Sequence, residues 1–214
     1  MAAFTAFYDA NVLYPAELRN FLMHLALTGI FRAKWSNDVH EEWISNLLKN
    51  RPDLTRQKLE RTRQLIDMAT LDALVEDYEN LIPSLSLPDE NDRHVLAAAM
   101  KSEAQVIVTM NLKDFPSEVL QQYEIAAQHP DDFVLQLIEL APDAVMAAAE
   151  THRQSLKNRL SPLANSWHRW RRKVYRSPWP LYGLCISEQL IPVCSSASRW
   201  RVIECGPVGG PVPI

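Results

Sequence analysis

Carboxylate and amide side chains gather at a few places in this chain. Asp9 directly follows the apolar run "FTAFY", Asp92 precedes an apolar stretch with helical spacing, and Asn111 and Asp114 follow the run "AQVIVT". Two unit charges 4 Å apart repel by about 4 kcal/mol at an effective dielectric constant of 20. A hard divalent cation removes that repulsion and takes oxygen ligands, without histidine or cysteine. Brought together, these residues therefore predict a site for Mg²⁺ or Mn²⁺.

Acidic residues before a helix also have a purely structural use. Asp89, Glu90 and Asp92 are spaced to cap free backbone amides and to complement the helix dipole. The stretch "HPDDFVLQLIEL" opens in the same way, with a proline followed by acids. Capping alone explains the acids in that second stretch. Capping therefore stays open as the explanation of the acidic cluster at residues 89–92.

The elements that would position these acids follow from the hydrophobic periodicity. Strands are predicted at residues 4–8, 104–109 and 125–127. The first predicted helix covers residues 16–28 and ends before Gly29, and a second begins after Ser36, which caps it. Further helices are predicted in a broken region at 54–80, around Val95, and from Pro130 onward.

Alternating strands and helices predict an α/β fold with a mainly parallel sheet covered on both faces. Parallel sheets bind ligands beyond the carboxyl ends of their strands. Asp9, Asn111 and Asp114 lie at such ends, and Asp92 opens the helix that leads into the second of those strands. All four are therefore expected at one crevice.

The segment "WSNDVHEEW" offers two further acids that helical geometry separates. With Val39 at 0°, Trp43 lies at about 40°, Glu42 at about −60° and Glu41 at about 200°. Glu42 is therefore predicted to border the buried face and to reach the site. Glu41 is predicted to face water.

These segments together resemble the PIN domain family, the metal-dependent nucleases that include the VapC-like toxins of bacterial toxin–antitoxin pairs. The resemblance rests on "YDANVLYP", "WSNDVHEEW", "PDENDRHVLAAA" and "VIVTMNLKDFP", in this order, and covers about residues 4–157. It implies a PIN-like three-layer sandwich, with a central sheet flanked by helices. It also implies a Mg²⁺- or Mn²⁺-dependent endoribonuclease, an antitoxin partner and a homodimer.

Carried onto this sequence residue by residue, the resemblance implies five metal ligands, of which the four carboxylates are also catalytic: Asp9, Glu42, Asp92, Asn111 and Asp114. Asn111 departs from the family, in which many members have an aspartate, and it removes one negative charge. Asp89 is left as a cap or outer group. In the family's chemistry an activated water attacks the phosphodiester in line, leaving a 5′-phosphate and a 3′-hydroxyl.

Residues 1–157 carry 14 basic and 24 acidic residues, a net charge of −10. Such a domain repels nucleic acid, so local basic surface must receive the phosphates. The candidates, each otherwise a solvated surface charge, are Arg19, Arg32, Lys34, Arg93 and Lys113. Asn11 is predicted to form turn hydrogen bonds or to hold the acids in place, and His94 to lie on a helix surface.

Two other functions stay open at this stage. A catalytically silent PIN fold that binds RNA or a protein partner is favoured by Asn111. A phosphohydrolase of the haloacid dehalogenase type is suggested by Asp9 after an apolar strand, although Asn11 replaces the second aspartate of that motif.

Residues 158–214 differ from the preceding sequence. These 57 residues have a net charge of +6 and hold four of six tryptophans, all three cysteines and seven of fourteen prolines. We predict a nuclease domain at 1–157 and an irregular basic tail at 158–214. A basic RNA-binding extension and terminal disorder are alternatives, but a frameshift near codon 158 explains all these changes at once.

The start "MAAFTAFYDANVL" has no basic region followed by a long apolar segment, and no run of 18 apolar residues occurs. We therefore expect a cytoplasmic protein without a membrane anchor.

Overall fold

Five short strands form the centre of the molecule. The structure, a computed structural model, describes residues 4–157. The strands pair in parallel in the order β3-β2-β1-β4-β5. They are β1 (Phe4–Tyr8), β2 (Phe31–Ser36), β3 (Leu74–Val75), β4 (Val106–Val108) and β5 (Ala126–Gln128). The predicted α/β fold with a mainly parallel sheet is confirmed.

Helices connect these strands. They are α1 (Ala10–Leu13), α2 (Ala16–Ala26), α3 (Asn37–Asn50), α4 (Arg56–Ala69), α5 (Arg93–Lys101), α6 (Ser117–Leu120), α7 (Pro130–Leu140) and α8 (Pro142–Lys157). Short 3-10 turns lie at Glu79–Ser84, Glu90–Asp92, Leu112–Asp114 and Gln121–Tyr123. Within residues 4–157, each helix is too short or too polar to cross a bilayer.

The predicted cap of one helix is confirmed, whereas α2 ends at Ala26, two residues before its predicted end. The Oγ of Ser36 accepts a hydrogen bond from the backbone nitrogen of Val39 at 3.3 Å, which caps α3. Gly29 follows α2 with a φ of +75°, a conformation that glycine adopts without steric cost.

The predicted helical region at 54–80 is interrupted more than expected. Helix α4 ends at Ala69, and β3 forms five residues later. Two residues carry no periodicity, so this strand exists only through its pairing with Trp35 and Ser36 of β2. Strand β2 itself was not predicted, although "FRAKWS" alternates apolar and polar residues as a half-buried strand does. Helices α1 and α6 have only four residues each, too few for a helical stripe.

Aromatic side chains fill the space between the sheet and its helices. Phe7, Tyr8, Trp35 and Phe133 are fully buried. The rings of Phe31 and Phe133 meet edge to face with centroids 5.1 Å apart, and those of Tyr8 and Trp35 stack at 6.2 Å. This packing holds the strands in one register.

The register aligns the carboxyl ends of two neighbouring strands. Tyr8 of β1 lies opposite Val108 of β4. The backbone nitrogen of Asp9 donates to the carbonyl of Val108 at 3.1 Å. Asp9 and Thr109, the next residue on each strand, therefore emerge side by side at the same edge of the sheet.

A buried polar network fastens α4 to the rest of the domain. Asp67 of α4 accepts from the indole nitrogen of Trp35 and from Nε2 of His40, both at 2.9 Å. The indole nitrogen of Trp43 donates to Nδ1 of His40 at 3.0 Å. Both nitrogens of His40 are thus engaged, and this fully buried histidine is structural.

Candidate metal centre

Asp9 is a buried carboxylate between β1 and α1, with 4% of its surface exposed. Its Oδ1 accepts from the backbone nitrogen of Ala10 at 2.6 Å. Its Oδ2 accepts from Nδ2 of Asn11 at 2.5 Å and from Oγ1 of Thr109 at 2.7 Å. Burial raises the pKa of Asp9; the Thr109 hydrogen bond opposes this rise, and the charge of Glu42 adds to it.

Asn11 and Thr109 bridge the ends of β1 and β4. Nδ2 of Asn11 donates to Oγ1 of Thr109 at 2.9 Å, and Oδ1 of Asn11 accepts from the backbone nitrogen of Met110 at 2.9 Å. Of the two predicted roles for Asn11, the structure shows the one in which it holds an acid in place. Thr109 was missed, although a hydroxyl at the end of the run "AQVIVT" was the available signal.

Three carboxylates meet near the end of β4. Asp89, Asp92 and Asp114 each offer one oxygen, and these oxygens lie within 4.8 Å of one another. Asp114 belongs to the 3-10 turn after β4, and Asp92 directly precedes α5. We call Asp89, Asp92 and Asp114 the acidic triad.

Asp89 has a larger part in this cluster than its sequence position predicted. Its Oδ1 accepts from the backbone nitrogen of Asn91 at 2.9 Å, so the predicted capping bond is present. The same carboxylate belongs to the acidic triad, whereas the sequence left it as a cap or outer group.

Asp92 is not explained by capping, because it occupies the N-cap position of α5 without a capping hydrogen bond from its side chain. Burial and, to a smaller extent, the charges of its acidic neighbours together raise the pKa of Asp92 to about 7. These neighbours, in order of effect, are Asp9, Asp89, Asp114 and Glu42. A strongly perturbed carboxyl among other titratable groups is typical of a functional site.

Glu41 and Glu42 do not differ in burial as predicted, since their side chains are 45% and 42% exposed. Their directions on α3 nevertheless distinguish them. Glu41 forms ion pairs with Arg56 at 2.6 Å and with Arg63 at 3.7 Å on α4. Glu42 instead turns toward α5, and its charge acts on both Asp9 and Asp92.

His94 faces the site, so the prediction of a helix-surface residue is wrong. Its side chain is 16% exposed, and Nε2 lies 3.5 Å from Oε2 of Glu42 on α3. Burial lowers the pKa of His94, but the hydrogen bond and charge of Glu42 outweigh burial and leave that pKa raised. Nδ1 is buried and has no hydrogen-bond partner among residues 4–157.

Asn111 contacts the acidic triad through Asp114. Its Nδ2 donates to Oδ2 of Asp114, and its backbone nitrogen donates to Oγ1 of Thr109 at 3.0 Å. A rotation of the amide by 180° places Oδ1 where Nδ2 lies. Only in that orientation would Asn111 offer an oxygen to an ion at the triad, so its role as a metal ligand stays a prediction.

Arg19 is buried, so the prediction of a surface charge that contacts RNA is wrong for this residue. It is 6% exposed, its guanidinium lies 4.9 Å from the ring centroid of Trp43, and it donates to the carbonyl of Leu13 at 2.6 Å. The guanidinium of Arg19 on α2 thus packs on the Trp43 ring of α3. Sequence spacing does not show such a contact between two helices.

The other basic candidates lie nearer the surface. Arg93 pairs with Glu90 at 2.7 Å, and Lys34 donates to the carbonyl of Asp72. Arg32 and Lys113 are exposed. Lys113 adjoins Asp114 and Arg93 adjoins Asp92 in the chain, so both stay candidates for a phosphate contact beside the triad.

The sequence profile of the PIN domain matches residues 5–113, from β1 to the turn after β4. The chain belongs to the PIN domain family. This membership confirms the predicted family and speaks against the haloacid dehalogenase alternative, because the matched range includes Asp9, the residue that suggested it. A second profile, described as the VapC50 C-terminal domain, matches residues 130–161 of this PIN domain protein.

A curated relative of this PIN domain comes from Mycobacterium tuberculosis (strain ATCC 25618 / H37Rv) and is named "Putative ribonuclease VapC50". It is 49% identical over 70 residues, which make up 33% of this chain and 41% of the relative. The match thus spans less than half the length of that relative. No solved structure matches this chain.

Proposed function

We propose that this PIN domain protein is a divalent-metal-dependent endoribonuclease, the toxin of a bacterial toxin–antitoxin pair. The observation that carries the proposal is the acidic triad, with Asp9 and Glu42 close enough to affect the pKa of Asp92. The relative's name, which includes the word ribonuclease, supports RNA as the substrate.

The acidic triad fits a hard divalent cation. Ligand oxygens around octahedral Mg²⁺ lie ~3.0 Å apart when adjacent and ~4.2 Å apart when opposite, given its ~2.1 Å bonds. The triad oxygens lie within 4.8 Å of one another, so small side-chain rotations are enough. We propose the triad as the main ligand set, with Asp9, Glu42 and Asn111 as additional or indirect ligands. The oxygen-only set favours Mg²⁺ or Mn²⁺ over zinc.

The chain's own residues prepare this site. Thr109, Asn11 and the amide of Ala10 orient Asp9, whose oxygens keep further lone pairs free. The raised pKa of Asp92 means that this carboxyl keeps its proton to a higher pH than an ordinary aspartate does. A divalent cation held by these carboxylates would supply the Lewis-acid charge that favours phosphodiester hydrolysis, and it would require Asp92 in its ionised form.

The same proposal includes the expected partners. An antitoxin would act by covering the acidic triad, and the toxin would meet its RNA in the cytoplasm. A homodimer is also expected from the resemblance to VapC-like toxins.

Cleavage of RNA by the purified protein tests this function. Incubation with labelled RNA and either Mg²⁺ or Mn²⁺ should give fragments with 5′-phosphate and 3′-hydroxyl ends, and EDTA should stop the reaction. Cleavage that persists in EDTA, or 2′,3′-cyclic phosphate ends, would contradict a metal-dependent hydrolase.

A catalytically silent PIN domain is the alternative, and Asn111 is the observation that favours it. The amide removes one negative charge next to Asp114. Thermal unfolding in increasing Mn²⁺ separates the two, because a ligand at 100 times its dissociation constant adds about 2.7 kcal/mol of stability. Absence of a shift in both Mg²⁺ and Mn²⁺ would favour the silent protein.

A further inference from the structure

A groove of about 230 Å³ lies between α1 and α3. It is lined by Ala10, Asn11, Tyr14, Glu42, Asn46 and Asn50. Its volume is below the roughly 300 Å³ of pockets that hold whole small-molecule ligands. The groove therefore fits a single planar group of a longer substrate. It shares three residues, Ala10, Asn11 and Glu42, with the surroundings of Asp9.

The α3 side of the groove is a stripe of one acid and two amides. Glu42, Asn46 and Asn50 are spaced four residues apart, so they lie on one face of the helix. Asn46 is half-buried, and its amide makes no hydrogen bond within residues 4–157. Asn50 donates one long bond, 3.3 Å, to the hydroxyl of Tyr14. Both amides can thus form hydrogen bonds to a ligand while giving up at most one long hydrogen bond.

The chemistry of this lining selects a nucleobase over a phosphate. Glu42 is the one charged residue in the lining, and its carboxylate repels a phosphate. Each asparagine amide offers a donor and an acceptor side by side, which match the edge of a base. The half-buried ring of Tyr14 offers a face on which a base can stack.

We infer that the Tyr14–Asn46–Asn50 groove binds one unpaired base of single-stranded RNA next to the phosphate that is cut. An unpaired base exposes both its face and its Watson–Crick edge, whereas a base in a helix does not. This inference rests on the proposed ribonuclease function and adds to it a preference for one base at a fixed distance from the cut.

The first test measures binding apart from cleavage. Fluorescence anisotropy with single-stranded RNA carrying phosphorothioate linkages, in Ca²⁺ to slow hydrolysis, gives the dissociation constant. Loss of a stacked base weakens binding by about 5- to 150-fold, so Tyr14→Ala should fall in that range. Tyr14→Phe keeps the ring and should retain most of the affinity. Thermal unfolding shows whether Tyr14→Ala remains folded.

The second test follows base preference. Cleavage of oligonucleotides that vary one base at a time near the cut should show a preference in the unaltered protein. In the double variant N46A/N50A, the ratio of cleavage rates between the preferred base and the others should fall by about tenfold. The variant should bind Mn²⁺ as tightly as the unaltered protein. The matched control is Gln64→Ala, an exposed amide on α4 outside the groove, which should keep the preference.

The outcomes separate the groove from the enzyme. Suppose that the unaltered protein cuts RNA but Tyr14→Ala and N46A/N50A match it in affinity and base preference. The inference of a base-binding groove is then overturned, and the proposed ribonuclease function stands. If RNA binds and the variants weaken it without any cleavage, the groove is supported and the catalytic function fails. If RNA neither binds nor is cut, both are overturned.

Discussion

The hydroxyl of Thr109 donates a 2.7 Å hydrogen bond to Oδ2 of Asp9. This bond joins the carboxyl ends of the neighbouring strands β1 and β4. These residues are 100 positions apart in sequence. The bond fixes the buried carboxylate beside Asp92, whose pKa is raised by burial and then by Asp9.

Asp92→Asn should abolish metal-dependent RNA cleavage while leaving the fold intact, because the change removes a charge and almost no volume. Asp9→Asn should do the same. The control is Asp143→Asn, an exposed acid in the first turn of α8, which should keep full activity. Near-normal cleavage rates in both site variants, measured with labelled RNA, would exclude the proposed centre.

Asn111→Asp should tighten Mn²⁺ binding by about tenfold, or ~1.4 kcal/mol, because it restores a negative charge beside Asp114. The same charge adds repulsion to the metal-free site, so the metal-free variant should unfold at a lower temperature. Isothermal titration calorimetry measures the first effect. Unchanged or weaker Mn²⁺ binding would show that residue 111 does not reach the ion.

Asp92 should stabilise the metal-free protein less as pH rises from about 4 to about 7. The pKa of Asp92 is raised from its ordinary value of 3.8 to about 7. The folded state therefore binds a proton more tightly than the unfolded chain, and that contribution is full below pH 4 and lost as pH passes 7. The raised pKa of Asp9 acts in the same direction.

Chemical unfolding at several pH values in EDTA measures this dependence, and Asp92→Asn should flatten it. Mn²⁺ binding should weaken as pH falls below 7, because protons and the ion compete for the same carboxylate. A metal affinity that stays constant between pH 8 and pH 5 would contradict this assignment.

Asp67→Ala should lower the free energy of unfolding by about 1–3 kcal/mol, because it leaves the buried donors of Trp35 and His40 without their acceptor. Urea unfolding provides the measurement. The control is Asp53→Ala, which removes only an exposed pair with Arg51 and should cause no measurable change. Equal stability of the two variants would rule out a structural role for this network.

Truncation after Asn158 should preserve both folding and nuclease activity. All the residues proposed for the site lie between Asp9 and Asp114, and α8 already packs against α2 and α7. The predictions for residues 158–214 lie outside the described part of the chain. Thermal unfolding and RNA cleavage of the truncated protein provide the test; a folded, metal-binding protein that no longer binds RNA would show that the tail is functional.

Translation of the gene in its other two frames tests the proposed cause of the tail's composition. We expect one of them to continue after codon 158 with an amphipathic helical pattern. If neither does, the frameshift hypothesis fails.

Local patterns in the sequence were sufficient for the class of fold. The apolar runs of β1 and β4, the Ser36 cap and the stripe of α3 are properties of neighbouring residues, so they can be read without knowing what they pack against. Because the apolar runs marked where β1 and β4 end, they also placed Asp9 and Asn111 at the ends of these strands. The family followed from the motifs spread over these elements.

Packing between distant segments decided the rest. Pairing with β2 created β3, and contacts between helices buried Arg19 and His94. The tight acidic triad includes Asp89, while Asp9 and Glu42 affect it through their charges. Sequence spacing gives the face on which a side chain lies, but distances of a few ångströms depend on how helices and turns dozens of residues apart settle against the sheet.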